Sequence, residues 1–201
     1  MGKIFCFMGK SASGKDTIFK IISYDFNDIE KIVRFTTRPI REGETEGKEY
    51  YFVTDDEFKR MVSNNLVIES RSYDTIHGIW TYFTGSKNID LDNNNYMVIN
   101  TLEGYNKLRK YYGDNIVVPI YIEVENGIRL TRALEREMKQ EVPKYEEMCR
   151  RFLSDQEDFS EEKLIAGGIE NRFINNDLLE CVIEIESYMS NILEKEKQYR
   201  I

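Results

Sequence analysis

Five apolar residues in a row, Ile4-Phe5-Cys6-Phe7-Met8, stand near the start of the chain. No polar position interrupts them, so the pattern predicts a short strand buried on both faces, as at the centre of a parallel sheet. A helical stretch follows from about Lys15 to Tyr24. Short apolar runs recur at Tyr96–Ile99 and Ile116–Ile122, with a helical stretch beginning near Leu102 between them. Strands alternating with helices predict a parallel sheet with helices on both faces. Toward the other end, Cys181, Val182, Ile185, Met189 and Ile192 fall at helical spacing. Leu178 to Gln198 is therefore predicted as an amphipathic helix packed on the sheet.

Two segments break this rhythm. Residues 34–84 are rich in charge and aromatics and carry alternating stretches such as Leu66–Ser72, which predicts a small mixed α/β insertion. Residues 127–159 are strongly charged and helical in character, which predicts a mobile, solvated helical arm. The expected fold class is thus α/β. A parallel sheet flanked by helices is built from 1–33, 85–126 and 160–201, with the insertion at 34–84 and the arm at 127–159. No internal repeat interrupts it, and the only low-complexity feature is Asn93-Asn94-Asn95.

Charge and cysteine content narrow the classes of function. The 201 residues carry a formal net charge of -8. A phosphate backbone recruits basic patches, so broad nucleic-acid binding is not expected. A small phosphorylated ligand needs only a few local cations and stays open. Cys6, Cys149 and Cys181 are far apart and lack metal-ligand spacing, so they are expected to be small buried hydrophobes in a reducing compartment. The opening MGKIFCFMGKSASGKD is apolar for only a few residues before charge returns. Neither a signal peptide nor a membrane span is expected, and a cytoplasmic location follows by default.

The chemistry begins directly after the first predicted strand. Gly9-Lys10-Ser11-Ala12-Ser13-Gly14-Lys15 is the G-x-x-x-x-G-K part of a phosphate-binding loop, placed between strand and helix as that loop requires. Glycines let the backbone curl with its N–H groups inward, and the helix N-terminus adds a positive dipole end. Lys15 then reaches the β- and γ-phosphates of ATP as a point charge. The next position usually holds a Ser or Thr whose hydroxyl ligates Mg²⁺. Here it is Asp16, followed by Thr17, and a carboxylate can hold the metal directly or through water.

A second signal follows in Thr36-Thr37-Arg38-Pro39-Ile40-Arg41-Glu42-Gly43-Glu44, with Gly47 and Tyr50-Tyr51-Phe52 behind it. Two arginines three residues apart can converge on one phosphate, and their planar forks suit that target. A tyrosine hydroxyl can complete the clamp. The stretch resembles the guanylate kinase family, whose T-T-R-x-x-R-x-G-E-x-x-G-x-x-Y-x-F motif is matched here at every fixed position. The resemblance extends over the whole chain in the family's order of parts.

Several roles are implied by that resemblance. Arg38, Arg41 and Tyr50 would clamp the monophosphate, and Glu69 would accept from the guanine edge. Arg132-Ala133-Leu134-Glu135-Arg136 and Arg151-Phe152-Leu153 are similar to the family's lid motifs. Arg132, Arg136 and Arg151 would then close over the transferring phosphoryl group, with Arg150 an open alternative to Arg151. Phe173-Ile174-Asn175-Asn176-Asp177 is similar to the turn beside the adenine of ATP, which gives Asn175 a place at the nucleotide. Residues 34–84 would be the monophosphate-binding insertion and 127–159 the lid.

Departures from the family gather at the base site. Arg34 stands where the family has serine, His77-Gly78-Ile79 stands for Tyr-Gly-Ser, and Ile99-Asn100-Thr101 for Asp-x-Asp. His77 could replace the tyrosine as a phosphate ligand or be structural, Thr101 takes an acidic position, and base discrimination is expected to relax. Tyr73, Trp80 and Tyr82 form either a stacking wall or a core cluster. The expectation is an ATP- and Mg²⁺-dependent kinase for GMP or dGMP. The alternatives are a kinase for another nucleoside monophosphate or a silent guanylate-kinase-like binding module. Its partners would be small nucleotides, and the chain a monomer or weak homodimer.

Overall fold

The computed structural model describes residues 1–75 and 78–198. The chain begins with β1 (Ile4–Met8), whose five side chains are all fully buried. It is the middle strand of a five-stranded, wholly parallel sheet that also contains β2 (Glu30–Lys31), β7 (Tyr96–Ile99), β8 (Val117–Glu123) and β9 (Arg172–Ile174). Their order is β2-β7-β1-β8-β9. Successive residues of a strand point to opposite faces, so β1 serves two cores at once. Ile4, Cys6 and Met8 pack with Leu102, Tyr105 and Leu108 of α3 (Leu102–Tyr112) and Leu164 of α6 (Glu161–Ala166). Phe5 and Phe7 pack with Ile18 and Ile22 of α1 (Lys15–Asp25) and Cys181, Ile185 and Met189 of α7 (Leu178–Gln198). Burying one such side chain stabilises by ~1.5–3 kcal/mol, so this strand ties both helical layers to the sheet.

The remaining strands form a second, mixed sheet of order β4-β3-β6-β5. It contains β3 (Phe35–Thr36), β4 (Tyr51–Phe52), β5 (Val67–Thr75) and β6 (Gly78–Gly85). Between β4 and β5 lies α2 (Asp55–Ser63), opened by a capping box in which Thr54 and Glu57 satisfy each other's backbone N–H. The ring of Phe83 stacks on Phe35 at 5.1 Å and meets Phe58 at 4.8 Å, which fixes α2 to this sheet. The charged arm is two helices, α4 (Asn126–Met138) and α5 (Tyr145–Asp158).

Two expectations need correction. Cys6 and Cys181 are buried, and burial raises both thiols, that of Cys181 to about 11. Cys149 instead lies exposed on α5, because that helix has no buried face of its own. The arm is also not wholly solvated, since Arg129 on α4 is 1% exposed. Among the described residues, no helix is long and apolar enough to cross a membrane.

Candidate active site

The phosphate loop leaves β1 at Gly9 and enters α1 at Lys15. A Cβ on Gly9 would lie 2.6 Å from the carbonyl of Ile122, so no other residue fits beside β8. Gly14 has φ 83, a left-handed turn that L side chains resist, and a Cβ there would meet Asn175 Nδ2 at 2.4 Å. The loop's tight curl is closed by Ser13 N–H donating to the Lys10 carbonyl at 3.1 Å. Ser13 Oγ is buried with no protein partner. Lys15 opens the helix with its ammonium 3.2 Å from Asp16 Oδ2, while the Asp16 side chain is 78% exposed. Thr17 is exposed on the same turn.

Four contacts from distant sequence hold this loop. Asn175, 3% exposed, donates Nδ2 to the Ser13 carbonyl at 2.7 Å. Arg129 donates to the Ser11 carbonyl at 3.1 Å and lies 4.8 Å from the Phe152 ring centroid. Asp155 accepts from Ser11 N–H at 2.7 Å and from Arg129 at 3.3 Å. Lys10 Nζ donates to Gln156 Oε1 at 2.6 Å, and burial, followed by Arg129, pushes its ammonium pKa down. Asn175 is therefore a buttress beneath the loop, and α4 and α5 are seated on the loop's outer edge. Arg132 donates to the Asn175 carbonyl at 3.2 Å. Arg136 and Arg151 line one shallow cavity between α4 and α5, and Arg150 and Arg151 both donate to Glu147. These two arginines hold the Glu147 carboxyl at about 2.

The arginine pair sits on the second sheet. Arg38 is 4% exposed. It donates Nη1 to Glu44 Oε2 at 2.7 Å, Nη2 to Oε1, and Nη1 also to the Pro39 carbonyl. Its guanidinium lies 5.2 Å from the Tyr50 ring and 5.3 Å from that of Phe52, within reach of a cation–π attraction to each. The Arg38 guanidinium holds the Glu44 carboxyl down at about 2. Arg41 is exposed, 5.9 Å from the Trp80 ring, with its N–H donating to Glu44.

Beside the pair opens a cleft of about 550 Å³, lined by Tyr50, Glu69, Tyr73, Trp80, Tyr82 and Thr101 among others. The three aromatics thus wall the cleft. Tyr73 is 49% exposed, which a core cluster would not allow. Glu69 is 7% exposed and accepts from Arg34 at 2.6 Å and from Thr84 at 2.8 Å. Thr101 caps α3, accepting from Gly104 N–H at 3.1 Å, at the rim of the cleft. His77 lies outside the described residues. Among the described residues no cluster of three acidic, histidine or cysteine side chains stands ready for a metal. Asp16 offers a single carboxylate. That donor set suits Mg²⁺, which keeps several waters and takes its other ligands from substrate phosphates.

A phosphate loop leaving the central strand of a parallel sheet, with an arginine pair carried on a second sheet, marks a P-loop phosphotransferase. The guanylate kinase family model matches residues 1–191. The guanylate kinase of Caldanaerobacter subterraneus is 30% identical over 154 residues, 73% of this chain and 74% of that protein. That of Lactococcus lactis is 42% identical over 72 residues, 36% of this chain and 35% of that protein. The crystal structure of guanylate kinase from Anaplasma phagocytophilum shares the fold, with TM-score 0.58 at 23% identity over 97% of this chain and 86% of that one. The chain belongs to the guanylate kinase family.

Proposed function

We propose that this chain transfers the γ-phosphoryl group of ATP to GMP or dGMP, releasing ADP and the nucleoside diphosphate. The observation that carries the reading is the Glu69 carboxylate, 7% exposed in the aromatic-walled cleft beside Arg38 and Arg41. Guanine presents two adjacent N–H donors on one edge, and a carboxylate accepts both. Adenine presents no such pair.

Phosphoryl transfer needs positioning and charge neutralisation more than a protein nucleophile. The acceptor phosphate is already an anion, so no strong general base is required. The loop amides and Lys15 would hold the phosphates of ATP, which requires Lys15 to leave Asp16 for the ligand. Arg38, held by Glu44 and packed near the rings of Tyr50 and Phe52, would donate to the acceptor phosphate together with Arg41 and the Tyr50 hydroxyl. Arg132, Arg136 and Arg151 would close over the transferring group and exclude water, which would otherwise hydrolyse ATP. Asp16 would hold Mg²⁺, directly or through water, and the bound ion would supply positive charge against that of the ATP phosphates. A cytoplasmic setting belongs to the same proposal, on the strength of three unpaired cysteines.

Calorimetric titration tests this reading. GMP is expected to bind at least tenfold more tightly than AMP, CMP or UMP, at a site that remains free when a non-hydrolysable ATP analogue is bound. Preference for a pyrimidine, or competition between GMP and the ATP analogue for one site, would overturn it.

A further inference from the structure

The base cleft holds a second charged group beside the carboxylate. Arg34 lies one residue ahead of β3, anchored by its carbonyl, which accepts from Tyr51 N–H at 2.8 Å. Its guanidinium reaches across the sheet to β5, where Nη2 donates to Glu69 Oε1 at 2.6 Å. Thr84 of β6 donates to the same oxygen. Both bonds fall on Oε1, and Oε2 takes neither. Arg34 is 28% exposed and lines the cleft, yet its Nε is buried without a hydrogen-bond partner.

Asn100 adds an independent sign of a built site. It is 8% exposed, lines the same cleft, and uses its Oδ1 to accept from Thr101 N–H at 2.9 Å. That bond fixes the orientation of the amide, and its Nδ2 is buried with no partner. A buried donor without an acceptor is costly, and a ligand carrying acceptors removes that cost. Two donors without partners thus belong to residues that line the cleft beside the Glu69 acceptor.

Carboxylate and guanidinium stand side by side, so the cleft offers acceptor and then donor in a row. Guanine offers the complementary row: the 2-amino and N1–H donors, then the O6 and N7 acceptors. Adenine places an amino donor where guanine has O6, so an arginine there opposes it. Arginine is the side chain whose planar fork matches O6 and N7 together.

We infer that Arg34 is a specificity-determining residue, donating to O6 and N7 of guanine while Glu69 takes the 2-amino and N1–H groups. The inference rests on the guanylate reading of the cleft. It reverses the expectation that losing a hydroxyl at position 34 relaxes base choice, because a guanidinium adds N7 to the atoms read.

The direct probe is 7-deaza-GMP, in which N7 is replaced by carbon and the edge facing Glu69 is unchanged. Calorimetry on the full chain is expected to show 7-deaza-GMP binding on the order of tenfold more weakly than GMP. In Arg34→Ser that penalty should fall to about twofold or less. Arg34→Lys keeps the charge beside Glu69 but loses the fork, so it should shrink the penalty too, and it serves if the serine variant does not fold. Equal binding of GMP and 7-deaza-GMP by the unaltered protein overturns the inference while leaving the guanylate reading intact. So does a penalty that persists undiminished in a folded Arg34 variant. Failure of the unaltered protein to bind GMP at all overturns the guanylate reading itself, and the inference with it.

Discussion

Replacing Asn175 with alanine separates two roles for this residue. Asn175 is 3% exposed, and its Nδ2 gives the Ser13 carbonyl a bond of 2.7 Å beneath the phosphate loop. Alanine leaves that buried carbonyl unsatisfied, which costs ~1–3 kcal/mol. For a chain of this size each kcal/mol lowers Tm by ~2–4 °C, so a drop of about 2–12 °C is expected. The unsupported loop should also bind ATP more weakly, while GMP affinity stays unchanged. Asn175→Asp is a sharper version, because it sets a carboxylate against the same carbonyl at nearly equal volume. Thermal melts with and without ATP, followed by titrations with ATP and GTP, read both effects. A melt equal to that of the parent, together with altered choice between ATP and GTP, would refute the buttress. Asn175 would then act at the nucleotide base, as the family resemblance implies.

Arg41→Ala should weaken GMP by roughly one to two decades with ATP affinity spared, since it removes a charge-assisted bond from an exposed residue with few structural duties. Loss of ATP affinity instead would mean that the two sites are interchanged. Asp16→Ser should bind metal-free ATP more tightly and depend less on Mg²⁺, because the carboxylate repels phosphate and now pairs with Lys15 at 3.2 Å. Identical magnesium dependence in titrations of both proteins would dismiss Asp16 as a ligand. Acid stability tests the Arg38–Glu44 pair. Arg38 holds the Glu44 carboxyl at about 2, below the ~4.3 of an unfolded glutamate, so its contribution is full above the higher value and is lost as pH falls toward the lower. Urea melts between pH 5 and pH 3 should therefore fall more steeply for the parent than for Glu44→Gln, and parallel slopes would remove the pair from the account.

The parts legible in the sequence are those whose physics is local. β1 and β8 announce themselves because burial on both faces demands unbroken apolar runs, and α7 because one buried face imposes helical spacing. The phosphate loop is contiguous, and so is the motif that carries Arg38, Arg41 and Glu44. β2, β3 and β4 are two residues each, too short to show a period, and exist only through their neighbours. The supports of the loop were hidden for a related reason. Arg129 meets Ser11 across 118 positions, Asp155 meets Ser11 across 144, and Asn175 meets Ser13 across 162. Nothing near Arg129 in the chain marks it as the one arginine of the arm buried against the loop. Arg34 was visible only as a departure from the family's serine, and its contact with Glu69 came into view only through the pairing of β3 with β6 and of β6 with β5.

The central claim is a reaction, and coupled ADP release measures it most directly. With ATP and Mg²⁺ present, GMP and dGMP should drive ADP release well above that seen with AMP, CMP, UMP or no acceptor. Lys15→Ala, still folded by its melt, should abolish the signal. ADP release that ignores the acceptor, or that responds best to a pyrimidine monophosphate, would contradict the account.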